Sequence, residues 1–106
     1  MAVARLAVAN ALWSPACFHA QQAAEKALKA LFESVALPVP RTHDLVVLLD
    51  HLESARVLDP QPLREAALVL SAYAVDARYP GFEADPDEAR EAVRLAAAVL
   101  ERSRAQ

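Results

Sequence analysis

The chain has 106 residues, of which 25 are Ala, 15 Leu and 11 Val, with one Gly, one Cys and no Ile. Hydrophobic residues make up 56%, charged residues 24%, and the formal net charge is -3. These figures exclude a disordered chain, a disulfide scaffold and a Cys-based zinc site, and they argue against a Gly-rich phosphate loop. A net negative charge also argues against a protein that coats nucleic acid electrostatically. Ala and Leu favour helix, and the length suits one domain. The composition therefore predicts a single all-α domain over 1–106, an up-and-down antiparallel bundle of four to five helices.

Prolines divide the chain. The N-terminal run predicts a helix over 2–12. Its short apolar stretch carries one Arg and no small-residue cleavage pattern, so it reads as helix and not as a leader. No stretch reaches ~18 uninterrupted apolar residues, so no membrane span is expected and a cytoplasmic location is the natural reading. Ser14-Pro15 reads as a cap and first position of a second helix over 15–35. Leu37-Pro38-Val39-Pro40 breaks it, because each Pro disfavours helical geometry at the residue before it. Thr42 is then read as the cap of a third helix over 43–54. Asp59-Pro60-Gln61-Pro62 introduces a fourth over 62–78, and Tyr79-Pro80-Gly81 is a turn. Asp85-Pro86-Asp87-Glu88 has the residues of a capping box and starts a fifth helix over 86–104.

The second helix is the most informative. At about 100° per residue, Cys17, Ala24, Leu28, Phe32 and Val35 share one arc, with Gln21 and Glu25 in its middle. His19, Gln22, Lys26, Lys29 and Glu33 form a polar stripe beside it, and Ala20, Ala23, Ala27 and Ala30 line the far side. The alanine face would admit a second helix closely, within the bundle or across a dimer. A carboxylate on an apolar arc needs a cation or hydrogen-bond donors, or it protonates. Glu25 is therefore either a structural ion-pair member or an acid lining a site, and Arg78 or His43 is its expected partner. The fourth helix is apolar nearly all round through Ala66, Ala67, Leu70, Tyr73 and Ala74, which predicts a central or interfacial place. The fifth carries Ala89, Ala92, Val93, Ala96, Val99 and Leu100 on a packing face.

Few residues suggest chemistry. His43 and His51 are too far apart to chelate one metal, so neither a metal nor a cofactor is expected. Cys17 reads as a buried structural thiol. Arg78-Tyr79 places a bidentate donor beside a stacking ring at a helix end, a pair suited to phosphates and bases, or alternatively to capping carbonyls and packing.

The stretch Phe18-His19-Ala20-Gln21-Gln22-Ala23-Ala24-Glu25-Lys26-Ala27-Leu28-Lys29-Ala30-Leu31 resembles the signature second helix of HEPN domains. Thr42-His43-Asp44-Leu45, then Leu70-Ser71-Ala72-Tyr73 and Ala77-Arg78-Tyr79-Pro80, resemble the next landmarks in order and spacing. The resemblance covers nearly the whole chain. It implies a helical bundle that forms a homodimer. It also implies a prokaryotic two-component, toxin–antitoxin-like setting beside a minimal nucleotidyltransferase. Many HEPN domains are metal-independent ribonucleases that carry an Arg, four to six residues, then a His. In such a site the Arg would stabilise phosphorane charge and the His would move a proton of the 2′-hydroxyl. This sequence departs from that pattern. No Arg is followed by His at that spacing; Arg41 to His43 is too short, Arg41 to His51 too long, and no His follows Arg78.

Three functions follow. The first is a non-catalytic homodimeric module that binds a nucleotide, a minimal nucleotidyltransferase partner, or both. Its candidate ligand-binding residues are Gln22, Glu25, Lys26, Lys29, His43, Tyr73, Arg78 and Tyr79. The second is a ribonuclease toxin acting on RNA through a non-standard site, with Arg78 on phosphate and His43 or His19 moving the proton. The third is a purely structural helical dimer.

Overall fold

The computed structural model describes residues 1–76, 81 and 83–105, with Val75 and Asp76 described by backbone alone. The described residues form five α-helices and no strand: α1 (Ala2–Ala9), α2 (Trp13–Ser34), α3 (Leu45–Ser54), α4 (Arg64–Asp76) and α5 (Pro86–Arg104). A single 3-10 turn, Gln61–Leu63, leads into α4. The all-α bundle agrees with the composition. α2 is its axis and packs against each of the other four helices, most extensively α5. Of the two places expected for α4, central or interfacial, the central one belongs to α2. α4 buries Ala66, Ala67, Leu70, Tyr73 and Ala74, but Leu68 and Val69 on its other side face solvent.

Alanine makes the central position possible. Ala16, Ala20 and Ala24 of α2 and Ala89, Ala92 and Ala96 of α5 have no more than a trace of exposed surface. Such small side chains let helix axes approach to the short end of the usual ~8–10 Å range. Leucines fill the wider spaces: Leu28, Leu45, Leu48, Leu49, Leu52 and Leu70 are fully buried. Leu95 joins the α5 packing face, whereas Val93 and Leu100 lie at its edge.

The helix beginnings differ in detail from the expected caps. α2 starts at Trp13 with Leu12 as its cap residue, so Pro15 falls later in the first turn, where its missing N–H still costs no intrahelical bond. Ser14 does not cap. Its Oγ accepts a hydrogen bond from the Ala84 N–H at 2.9 Å and fixes the approach to α5. Arg90 of α5 lies over the Trp13 ring, 5.4 Å from its centroid. α3 starts at Leu45 and is capped by Asp44, whose carboxylate accepts from the Val46 N–H at 2.9 Å. Thr42 acts one step earlier, its Oγ1 accepting from the Asp44 N–H. The capping box at α5 is complete: Asp85 accepts from the Glu88 N–H and Glu88 accepts from the Asp85 N–H.

The helix ends show a device that the composition hides. α1, α2 and α3 each close on a left-handed residue, Ala11 (φ 57°), Ala36 (φ 58°) and Arg56 (φ 57°). In each case the next N–H reaches back across the turn: Leu12 to Ala7 O, Leu37 to Phe32 O and Val57 to Leu52 O, all at 2.8–2.9 Å. This is the bond pattern that glycine usually supports. It shortens α1 relative to the expected 2–12. It also ends α2 before Val35, which is exposed and not on the buried arc.

Left-handed geometry costs a residue with a Cβ about 1–2 kcal/mol. Ala36→Gly is therefore expected to raise stability by about 1 kcal/mol in chemical denaturation. Ala24→Gly, in the buried middle of α2, is expected to lower it by at least about 1 kcal/mol. Equal effects at the two positions would contradict the assignment of the helix end.

Candidate functional site

Cys17, Gln21 and Glu25 of the buried arc of α2 and Lys29 of the stripe beside it follow one another at intervals of four. That spacing stacks them along one side of the helix. Cys17 and Gln21 are buried, and Gln21 is only 1% exposed. The side chain of Glu25 is 12% exposed and that of Lys29 24%, so the ladder climbs from core to surface.

Glu25 is the centre of the site. Its Oε1 accepts from Gln21 Nε2 at 3.0 Å, and its Oε2 accepts from Lys29 Nζ at 2.9 Å. His43 Nδ1 lies 3.0 Å from both carboxylate oxygens. Burial by itself pushes the Glu25 carboxyl up. The hydrogen bonds from Gln21, Lys29 and His43 outweigh it, so the group sits below the ordinary carboxylate range. An ionised carboxylate only accepts, so Nδ1 of His43 carries the hydrogen. The other ring nitrogen, Nε2, is then the one available to a ligand. The His43 side chain is 61% exposed.

His43 is held at several points although it belongs to no helix. Its carbonyl accepts from Gln21 Nε2 at 3.2 Å. The flanking Thr42 and Asp44 are fixed by the two local bonds at the start of α3. One residue further, the Leu45 N–H donates to Ser71 Oγ of α4 at 2.9 Å. The imidazole thus stands at the junction of α2, α3 and α4 on a short backbone segment with few free torsions.

The other candidate residues are dispersed. Gln22 is half-buried on α2 beside Gln21. Lys26 is exposed on a different side of α2, at the rim of a groove lined also by Ala23, Ala27, Ala30 and Leu100. Along the alanine face Ala20 is fully buried, Ala23 and Ala27 are half-buried and Ala30 is exposed among the described residues. Tyr73 is buried and hydrogen-bonded to Cys17. Burial first, and then neighbouring groups that include Glu88, push the Cys17 thiol up to about 11 and the Tyr73 hydroxyl up to about 12. Both are protonated at neutral pH and act as core. His19 makes an edge contact with Phe18 and stands apart from the Glu25 cluster. Arg78 and Tyr79 lie outside the described residues. Gln21 is the member that residue patterning left without a role. Its signal was a position four residues before Glu25 on the same apolar arc.

A depressed carboxyl adds stability above its ordinary titration range and loses it as pH falls through the folded value. Wild-type protein should therefore lose stability faster than Glu25→Gln as pH falls from about 5 to about 3. At neutral pH the variant should be the less stable of the two, since it leaves Lys29 without its partner. Parallel pH profiles for the two proteins would show that the carboxylate is not held as described.

Comparison with curated proteins and with solved structures returns no significant match. The family model for the HEPN domain matches residues 1–106, the whole chain. The helical order, the α2 signature and this full-length match agree: the chain belongs to the HEPN domain family.

Proposed function

We propose that this chain is a non-catalytic HEPN module. In this reading it forms a homodimer and binds a nucleotide, a minimal nucleotidyltransferase partner, or both, as half of a two-component, toxin–antitoxin-like system. The observation that carries the reading is the imidazole of His43, oriented by the partly buried Glu25 carboxylate at 3.0 Å while its side chain is largely exposed. A ring held in this way is prepared to accept at Nε2 from a ligand hydroxyl or amino group, or in its protonated form to donate there to a phosphate, at little entropic cost. The ammonium of Lys29 is already engaged by Glu25. Binding of ligand phosphates is therefore assigned to Arg78, and stacking of a base to Tyr79. Gln22, half-buried on α2, completes the candidate set. The absence of any Arg followed by His after four to six residues supports the non-catalytic assignment.

A second reading draws on the same geometry. A carboxylate that fixes the tautomer of an exposed imidazole is also the arrangement used in general acid–base catalysis. In that reading the chain is a metal-independent ribonuclease with a non-standard site. His43 or His19 serves as the proton-transfer group, and the contact with Glu25 favours His43.

Calorimetric titration with ATP, GTP, CTP and UTP tests the first reading. Binding of at least one nucleotide is expected, weakened on the order of tenfold by His43→Ala, the effect of losing one oriented polar contact. Absence of heat with all four, together with failure of a neighbouring nucleotidyltransferase to co-purify, would overturn it. Growth arrest on expression, relieved by both Arg78→Ala and His43→Ala, would favour the ribonuclease.

A further inference from the structure

We infer that the exposed side of α2 that carries Lys26, Ala30 and Glu33 is a self-complementary surface, and that its occupant is α2 of a second copy of this chain packed antiparallel. The inference rests on the homodimer of the reading above and specifies its face. Lys26 and Glu33 are both exposed, and among the described residues neither belongs to any ion pair. They are seven residues apart, which is nearly two helical turns and about 10 Å along the axis. They therefore point the same way, with Ala30 between them.

Opposite charges at the two ends of one short patch satisfy the requirement of an isologous contact, in which the same surface meets itself. Turning a second α2 through a two-fold axis level with Ala30 sets Lys26 of each copy opposite Glu33 of the other. Both pairs form or neither does. Ala30 at the axis has no bulk to hold the helices apart. Alongside it lies an open groove of about 560 Å³ between α2 and the end of α5, floored by Ala23 and Ala27 and walled by Leu31 and Leu100. A neighbouring helix packed on α2 would lay its side-chain ridge into that groove.

The other exposed apolar positions offer no such reciprocity. α1 presents Val3 and Leu6 with Arg5 and no acid. α4 presents Leu68 and Val69 beside Glu65, while its Arg64 is already engaged by Asp50 and Glu53 of α3. α5 repeats the α2 spacing in the exposed Arg94, Ala98 and Glu101, but its Arg94 is already engaged by Glu91, whereas both charges of the α2 patch have no ion-pair partner among the described residues.

The test is a charge exchange read by sedimentation velocity over a range of concentrations. Lys26→Glu and Glu33→Lys should each weaken the dimer, on the order of tenfold or more, because one substitution turns two attractive contacts into two repulsive ones. The double variant, Lys26→Glu with Glu33→Lys, should return close to wild type. Ala30→Cys should form a covalent dimer under mild oxidation, and Cys17, fully buried, stays out of that reaction. A wild-type dimer that is indifferent to both single reversals and gives no cross-link would overturn this face and leave the dimer reading standing. A wild-type chain that is monomeric throughout would overturn the dimer itself, and this face with it. All the substituted positions are on the surface, and circular dichroism of each variant separates lost association from lost fold.

Discussion

A carboxylate placed on the core-facing arc of the central helix must be compensated, and the arrangement around α2 follows from that need. An uncompensated charge in a partly buried place costs several kcal/mol, more than a domain of this size can spare. Glu25 is satisfied from three directions. One donor comes from a turn below it on the same helix, one from a turn above, and one from another segment of the chain. The third partner matters most for the architecture. It ties the segment before α3 to α2, next to the Asp44 cap that starts α3.

Gln21 links the two halves of this arrangement. Its amide donates to the carboxylate and also to the backbone carbonyl of His43, so the side chain and the main chain of one exposed residue are both tied to the buried face of α2. A single contact would leave the imidazole free to turn. Two contacts, with local bonds on either side, give it one orientation. That is the difference between a surface histidine and one prepared to recognise a ligand.

Helical periodicity, which depends only on neighbours along the chain, was enough to place Glu25 and Gln21 on one arc with the core residues, and the capping residues Asp85-Pro86-Asp87-Glu88 marked the start of α5. With the prolines, periodicity put the ends of α3 and α5 at 54 and 104, where they are observed, but it ran α1 three residues too far, because the usual punctuation is absent there. Ala11, Ala36 and Arg56 occupy positions where glycine would have announced a stop, and the expected end falls three residues late at α1 and one residue late at α2. Nor could periodicity distinguish a covered alanine face from an open one: Ala20 and Ala30 look alike in the sequence, yet one is buried by a neighbouring helix and the other is not. The link from His43 to Glu25 spans eighteen positions. The candidate partners of the acid could be named from residue type, but the choice among them depends on tertiary placement.

The bond between the Leu45 amide and Ser71 has a consequence for how the molecule comes apart. It joins the first turn of α3 to the middle of α4, while Gln21 joins the preceding residues to α2. α3 therefore cannot fray from its beginning as an isolated helix would. Its detachment breaks a side-chain bond to each of two neighbours and exposes four fully buried leucines, Leu45, Leu48, Leu49 and Leu52, in the same event. Such an element opens as one cooperative unit. The segment that presents His43 thus inherits the rigidity of the core, although the imidazole itself stands in solvent.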